Sequence, residues 1–153
     1  MKAREIMDTT FQTLRPEDSI SKAVQRFSEI SRAVDRKMFG LMVIDASDQL
    51  LGMLSMYDIL QFIQPKHVHI WGEMEDLDPD VLFEKTLEKV KNIQVGDIMT
   101  TDVVTVKPET HILLIVDIML KKHIRRLPVV ENEKVMGIVY VSDVFYQLMN
   151  KLV

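Results

Sequence analysis

An internal repeat constrains the fold of this 153-residue chain more than any other feature of its sequence. The stretch GMLSMYDIL, which contains Asp58, returns as GIVYVSDVF, which contains Asp143, and each aspartate follows a glycine by six residues. Near the N-terminus, EIMDTTFQTLRPEDSISKAVQRF matches DIMTTDVVTVKPETHILLIVDIM, so that Ile6–Met7 precedes its counterpart Ile98–Met99 by 92 positions. A repeat of this length predicts two copies of one structural unit.

The repeat predicts the same order of helices and strands in both copies. Apolar residues at i, i+3, i+4 and i+7 place one apolar face on a helix in each copy, and Asp18 and Thr110 are the expected N-caps. The apolar positions are Ile20, Ala23, Val24 and Phe27 in the first copy and Ile112, Ile115, Val116 and Met119 in the second. Two apolar runs around a short polar turn predict a hairpin in each copy. The expected elements are short helices (3–7; 95–99), short strands (12–14; 103–106), helices (19–33; 111–123), hairpins (40–45 with 50–56; 127–131 with 134–141) and closing helices (57–64; 142–152).

These elements predict an α/β (α+β) protein with a first repeat at 1–64, a linker at 65–92 and a second repeat at 93–153. A βαββα unit of this size buries little surface alone, so the two units are expected to pack together in a pseudo-two-fold arrangement. The linker has no counterpart in either repeat. Asp78 as N-cap and Pro79 at the first helical position predict a linker helix over 79–91.

Composition excludes several functional classes. The formal net charge of −4 argues against a protein that binds nucleic acid by broad phosphate neutralisation. The chain has no cysteine, which excludes disulfides, thiol catalysis and cysteine-ligated metal. There is no apolar run long enough for a membrane span, and a cytoplasmic protein is expected. Gly-rich phosphate loops, H-E-x-x-H and nucleophile elbows are absent from the sequence, so catalysis is not expected.

The linker histidines leave one alternative open. His67 and His69 form an H-x-H pair, which places two imidazoles on one side of a strand, next to Trp71 and an acidic stretch. A metal-dependent hydrolase built on these residues is one interpretation. The other, which we favour, is a surface linker anchored by Trp71, with no metal site.

The repeated frame resembles a known family. The chain resembles the CBS domain in three segments: IMTTDVVTVKPET, HIRRLPVV, and a glycine followed by an apolar run that ends in S-D. Two CBS domains in tandem resemble a Bateman module. The resemblance covers nearly the whole chain apart from 65–92 and is looser in the first copy, where LMVID lacks the proline of the family. It implies an energy-sensing type of regulatory module that binds AMP, ADP, ATP or S-adenosylmethionine in clefts between its halves.

Asp58 and Asp143 have two interpretations that do not depend on the family. A carboxylate in the first turn of a helix stabilises that helix through its dipole, by about 0.3–1 kcal/mol. It also accepts hydrogen bonds from a vicinal diol, as an acidic residue does for ribose in dinucleotide folds. Because the motif is duplicated inside the family frame, we favour the ribose role.

The resemblance implies a first cleft in which the strand-to-helix motif of one copy meets segments of the other. In it, Ser55 offers a hydroxyl, Asp58 binds the diol, the two valines form an adenine slot and the arginines neutralise phosphate. The implied residues are Ser55, Asp58, Asp102, Val103, Val104, Thr105, His123, Arg125, Arg126, Leu127 and Pro128.

The second cleft departs from the family pattern. Tyr140 stands where the family usually has Thr or Ser. Its ring could stack on a base, but we favour the interpretation in which it fills the pocket itself. The facing stretch Lys37-Met38-Phe39-Gly40-Leu41 lacks the R-L-P sequence, so this cleft is predicted to be weak or empty. Its residues are Thr10, Phe11, Thr13, Phe39, Gly40, Leu41, Tyr140 and Asp143.

Partners follow from the same resemblance. A homodimer is expected, with its surface on the apolar faces Val24–Phe27, Val116–Met119 and Phe145–Met149. Because no effector domain is recognised in the chain, any output is expected to pass through a separate effector protein. No cofactor is expected beyond the regulatory adenosine ligand. The alternative function is a ligand-free dimerisation scaffold.

Overall fold

The computed structural model describes residues 1–33, 40–64 and 78–153, and these form two compact units. Unit 1 is made of Met1–Thr13, Ile44–Leu50 and Asp102–Val153, and unit 2 of Leu14–Val43 and Leu51–Thr101. The first residues of the chain therefore belong with the second repeat, and residues 93–101 belong with the first. The predicted domain boundaries at 64 and 92 remain a prediction about the sequence repeats.

Unit 2 contains most of a three-stranded sheet, covered by helices. The strands are β1 (Thr13–Leu14), β2 (Gly40–Ile44) and β3 (Leu50–Ser55), paired in that order, and the helices are α2 (Ile20–Ala33), α3 (Met56–Ile63), α4 (Pro79–Lys91) and α5 (Val95–Ile98). The core residues are Leu14, Ile20, Ala23, Phe27, Ile30, Leu41, Val43, Leu54, Val90 and Val95. The helix α4 is predicted correctly, and Val90 attaches it to this core.

Unit 1 repeats the plan with a two-stranded sheet. Its elements are α1 (Ala3–Ile6), α6 (Ile112–Lys122), β4 (Arg126–Glu131), β5 (Lys134–Tyr140) and α7 (Val141–Leu152). Its core consists of Ala3, Ile6, Val106, Ile112, Ile115, Met119, Leu127, Val129, Val139 and Val144. Asn132 and Glu133 both have positive φ, 52° and 67°, as a two-residue turn between twisted strands requires. The α+β class and the helix bounds, to within one residue, are confirmed.

Three sequence predictions are wrong. Residues 103–106 are not a strand, because Val106 is the one residue among them that forms a bridge, with Val129. The pairing does not continue past Val106, because the N–H of Lys107 donates to Thr110 Oγ1 and Pro108 has no N–H. The N-caps are Ser19 and His111 rather than Asp18 and Thr110. The side chains of Asp18 and Thr110 instead accept from the N–H three residues earlier and close the preceding turn. Phe27 and Met119, assigned to a dimer surface, are 8% and 4% exposed and belong to the cores.

One glycine in each unit permits a close approach of two backbone segments. Met53 and Thr100 exchange two backbone hydrogen bonds of 2.9 Å, and a Cβ on the adjacent Gly52 would lie 2.5 Å from the carbonyl oxygen of Thr100. In unit 1, Asp8 and Ile138 exchange bonds of 2.8 and 3.0 Å, and a Cβ on Gly137 would lie 2.9 Å from the carbonyl oxygen of Asp8. The repeated Met and Gly of the sequence are thus a packing pair, since the sulfur of Met99 or Met7 lies over the glycine.

Asp18 is a buried carboxylate that closes the turn before α2. It accepts from the N–H of Arg15 at 2.9 Å and pairs with Lys22 at 3.0 Å. Burial by itself raises the pKa of this carboxyl, but the hydrogen bond from Arg15, the hydrogen bond and charge of Lys22, and the charge of Arg26 lower it, and the net pKa is lowered.

We expect Gly52→Ala to lower the free energy of unfolding by about 1–3 kcal/mol, because the new methyl group collides with backbone that must shift. Gly137→Ala should act in the same way. Urea denaturation measures both, with the exposed helical Ser28→Ala as a control expected to stay within about 0.5 kcal/mol of wild type. A Gly52→Ala variant as stable as wild type would show that the strand tolerates a wider approach.

Asp18→Asn is expected to destabilise the protein in a pH-dependent manner. Because the folded pKa is depressed, the stabilisation is complete above the unfolded pKa of about 3.9 and is lost as pH falls through the folded value. The difference in unfolding free energy between wild type and variant should therefore be large at pH 7 and shrink below about pH 4. Denaturation at several pH values tests this, with the exposed Glu17→Gln as control. A difference that is constant with pH would contradict it.

Candidate functional site

The carboxylate of Asp58 lies at the junction of β3 and α3, where it completes the helix N-terminus. Ser55 is the N-cap, and its Oγ accepts from the N–H of Asp58 at 3.2 Å. In return, Oδ2 of Asp58 accepts from the N–H of Ser55 at 2.7 Å and from its hydroxyl at 3.0 Å. This capping box satisfies two backbone donors. Asp58 therefore stabilises the N-terminus of its own helix, which is one of the two interpretations of this aspartate.

Thr100 holds the other oxygen of the same carboxylate. Its hydroxyl donates to Oδ1 of Asp58 at 2.9 Å, and its backbone is fixed by the paired Met53. An ionised carboxylate has about four acceptor sites, of which three are used here. Because Asp58 is partly exposed, one site remains for a further donor. The result is a carboxylate of fixed orientation that still has acceptor capacity.

Sequence reasoning missed Thr100. Its position was visible in the repeat, directly after Ile98–Met99, but its side chain reaches Asp58 only because Gly52 lets the two backbones pair. The spacing of 42 residues between the two side chains carries no local signal.

The second junction, between β5 and α7, differs in its N-cap. Tyr140 is the N-cap of α7 and makes no side-chain capping bond, whereas Asp143 lies in the first turn and is partly exposed. Tyr140 is paired across the hairpin with Arg126. Burial lowers the pKa of Arg126, the neighbouring Arg125 lowers it further, and Tyr140 opposes the change. An arginine whose charged form is disfavoured by burial is suited to an anionic ligand, which would offset that cost.

The other predicted site residues are distributed over the two units. Gly40 and Leu41 lie with Ser55 and Asp58 in unit 2, and Leu41 is buried in its core. Unit 1 contains Thr10, Phe11, Thr13, Asp102, Val103, Val104, Thr105, His123, Arg125, Arg126, Leu127, Pro128, Tyr140 and Asp143. Because the side chains of Leu127 and Pro128 are buried, they offer only backbone atoms to a ligand. Lys37, Met38 and Phe39 lie outside the described residues.

The predicted clefts divide differently between the units. Asp58 belongs to unit 2, and its predicted partners Val103 and Arg126 belong to unit 1. Asp143 belongs to unit 1 together with Thr10–Thr13, whereas Gly40 and Leu41 belong to unit 2. The pairing of the walls therefore remains a prediction.

The described residues contain no group of three side chains suited to a metal ion. His67, His69 and Trp71 lie outside the described ranges. Of the remaining histidines, His111 caps α6 by accepting from the N–H of Leu113 at 3.2 Å, and His123 ends that helix in a left-handed conformation. In residues 1–33, 40–64 and 78–153, no helix has the length and apolar character needed to cross a membrane.

Comparison with known proteins identifies similar chains. The CBS domain family matches residues 3–65 and 95–150. The chloroplastic CBS domain-containing protein CBSX2 of Arabidopsis thaliana is 30% identical over 138 residues, 82% of this chain and 53% of CBSX2. The inosine-5'-monophosphate dehydrogenase of Methanocaldococcus jannaschii is 25% identical over 144 residues, 94% of this chain and 23% of that enzyme. This chain thus spans about half, or less, of the length of these relatives.

Among solved structures, CBSX2 in complex with AMP matches with a TM-score of 0.73 at 24% identity, over 99% of this chain and 98% of that one. This likeness shows a shared fold. A cytoplasmic location remains a prediction, because the relative CBSX2 is chloroplastic.

Proposed function

Because the chain belongs to the CBS domain family, we propose that it is a non-catalytic regulatory module that binds an adenosine-containing ligand and signals its occupancy to a partner protein. The relative CBSX2 has been solved in complex with AMP, which supports an adenosine nucleotide over other ligands. ADP, ATP and S-adenosylmethionine share the same adenosine group and remain alternatives.

The observation that carries this proposal is the fixed carboxylate of Asp58. A ribose presents two adjacent hydroxyls, and the free acceptor site of Asp58 can accept from one of them at low ordering cost, because its orientation is set before the ligand arrives. Ser55 and Thr100 set that orientation, with hydrogen bonds to both carboxylate oxygens. A carboxylate also repels phosphate, so the phosphates of the ligand must lie away from it.

Unit 1 offers the groups that the rest of such a ligand needs. Val103 and Val104 are partly exposed apolar residues, which suits an adenine ring. Arg126 is half-buried beside Tyr140 and suits a phosphate. We propose that these residues form the first cleft with Asp58, and that the second cleft, with Tyr140 in place of a small hydroxyl residue, is weak or empty.

A homodimer is the second part of the proposal. The helix α7 exposes Phe145, Tyr146 and Met149 by 58%, 62% and 38%, and Val24 on α2 is 49% exposed. Exposed apolar residues clustered on one helix are typical of protein interfaces. A ligand-free scaffold would use the same surface. Ligand binding therefore distinguishes the regulatory module from the scaffold.

Calorimetric titration with AMP, ADP, ATP and S-adenosylmethionine tests the ligand. We expect Asp58→Ala to weaken the best ligand about ten- to a hundredfold, because a charged partner of a desolvated diol is lost. Asp143→Ala should leave the affinity nearly unchanged. Arg126→Ala should weaken AMP more than adenosine.

The matched control is Asp97→Ala. Asp97 also caps a helix of unit 2, accepting from the N–H of Gln94 at 3.2 Å, but it is no part of the predicted site. Equal losses in the Asp58 and Asp97 variants would assign the effect to helix stability. Equal losses at Asp58 and Asp143, or a loss only at Asp143, would contradict the choice of cleft, and no binding of any of the four ligands would favour the scaffold.

Light scattering at micromolar concentrations is expected to give twice the chain mass of 17.8 kDa. Phe145→Lys should shift the protein towards monomer, because it places a charge in the apolar surface of α7. Val81→Lys is the control, since Val81 is 49% exposed on α4, outside the proposed surface. A wild-type monomer would contradict the dimer.

A further inference from the structure

Thr100 and Asp8 occupy equivalent positions in the two units. Each follows the repeated Ile-Met, and each exchanges two backbone hydrogen bonds with the residue after the repeated glycine, Met53 for Thr100 and Ile138 for Asp8. The carboxylates of the two junctions also correspond, because Asp58 and Asp143 each follow that paired strand residue by five positions.

The side chains at these equivalent positions have opposite chemistry. The hydroxyl of Thr100 is a donor, and it donates to Oδ1 of Asp58 at 2.9 Å. Asp8 is an acceptor when ionised, and its own Oδ1 accepts from the N–H and hydroxyl of Thr10 at 2.8 and 2.7 Å. When ionised, Asp8 therefore cannot give Asp143 the hydrogen bond that Thr100 gives Asp58, and it carries a negative charge at the position where unit 2 has the neutral Thr100.

From this contrast we infer that Thr100 is the positioning residue that orients Asp58 towards a ligand diol, and that Asp8 disfavours the same ligand at the other junction. The inference rests on the proposed function and extends it, since it names the residue pair that makes the two sites unequal. Tyr140 stands at the N-cap position that Ser55 has in unit 2, and this difference changes the space available to a ligand. The difference between Thr100 and Asp8 instead changes how the carboxylate of Asp58 or Asp143 is oriented.

Thr100 holds a carboxylate that is already capped from one side. The bonds from Ser55 all reach Oδ2, whereas the hydroxyl of Thr100 reaches Oδ1, and both oxygens turn together about the Cβ–Cγ bond. Without that hydroxyl, the torsion is restrained from one end only, so the hydrogen bond from the N–H of Ser55 to Oδ2 loosens and Oδ1 turns away from the ligand more often. The expected loss is about three- to tenfold in affinity for a ligand with a diol.

The test compares AMP with 2′,3′-dideoxy-AMP, which lacks the diol, on wild type, Thr100→Val and Thr100→Ser. Valine keeps the shape of threonine and removes the donor, whereas serine keeps the donor. We expect Thr100→Val to weaken AMP three- to tenfold and to leave the dideoxy nucleotide unchanged, and Thr100→Ser to bind both as wild type does. A loss that is equal for both nucleotides, or AMP binding unchanged in Thr100→Val while Asp58→Ala loses it, overturns the positioning role.

Thr100→Asp copies the arrangement of unit 1 into unit 2. It should weaken AMP more than Thr100→Val does, because it removes the donor and adds a negative charge. AMP binding by Thr100→Asp equal to that of Thr100→Val overturns the role assigned to Asp8.

Amide hydrogen exchange separates this inference from the proposed function, because it needs no ligand. The N–H of Ser55 donates to Asp58 at 2.7 Å, so release of the carboxylate in Thr100→Val should speed its exchange, and Thr100→Ser should not. Unchanged exchange contradicts the positioning of Asp58. If wild type binds neither nucleotide, the proposed function fails, and so does the inference that Thr100 orients Asp58 towards a ligand. Faster exchange in Thr100→Val would then support only the statement that Thr100 orients the carboxylate of Asp58.

Discussion

The backbone pairs beside Gly52 and Gly137 are the contacts on which both units depend. In each unit a segment from one repeat is held to a strand of the other by two hydrogen bonds, and only a glycine leaves room for it. The Met before the paired residue covers the glycine, so polar pairing and apolar packing occur at one place. Without this approach, the segments after α1 and α5 would lose one of the contacts that hold them, and the hydroxyl of Thr100 would not reach Asp58.

The candidate site shows how one side chain serves folding and binding together. The carboxylate of Asp58 caps α3 with one oxygen and is oriented by Thr100 through the other. A ligand diol would meet a carboxylate already arranged by contacts that stabilise the free protein. Pre-organisation of this kind reduces the ordering cost of binding, because this carboxylate does not have to be fixed when the ligand enters.

The sequence predicted the helices well because their signals are local. The apolar stripe of α2 and the Asp78–Pro79 start of α4 each lie within a few neighbouring residues, and the repeat supplies the same local signals a second time. The wrong predictions concern residues that could make either of two contacts. Asp18 is a good N-cap by type, but its carboxylate closes the preceding turn and Ser19 caps the helix. Phe27 belongs to the same stripe as the exposed Val24, and periodicity alone does not say which edge of a stripe is buried.

Of the candidate site, Asp58 was singled out by the repeated motif and Ser55 by the family resemblance, whereas neither pointed to Thr100. The contact between Thr100 and Asp58 depends on tertiary pairing across 42 residues, which no local pattern records.

The exchange of segments between the repeats also affects how the chain acquires its structure during synthesis. Residues 1–13 are made first, yet the partners of Ala3 and Asp8, at Thr110 and Ile138, emerge more than a hundred residues later. Unit 2 completes its set of segments at residue 101, so it can fold while the rest of unit 1 is still being translated. Ala3 and Asp8 therefore form these bonds only after residues 110 and 138 have been made, and loop closure over this distance makes unit 1 the slower half to form.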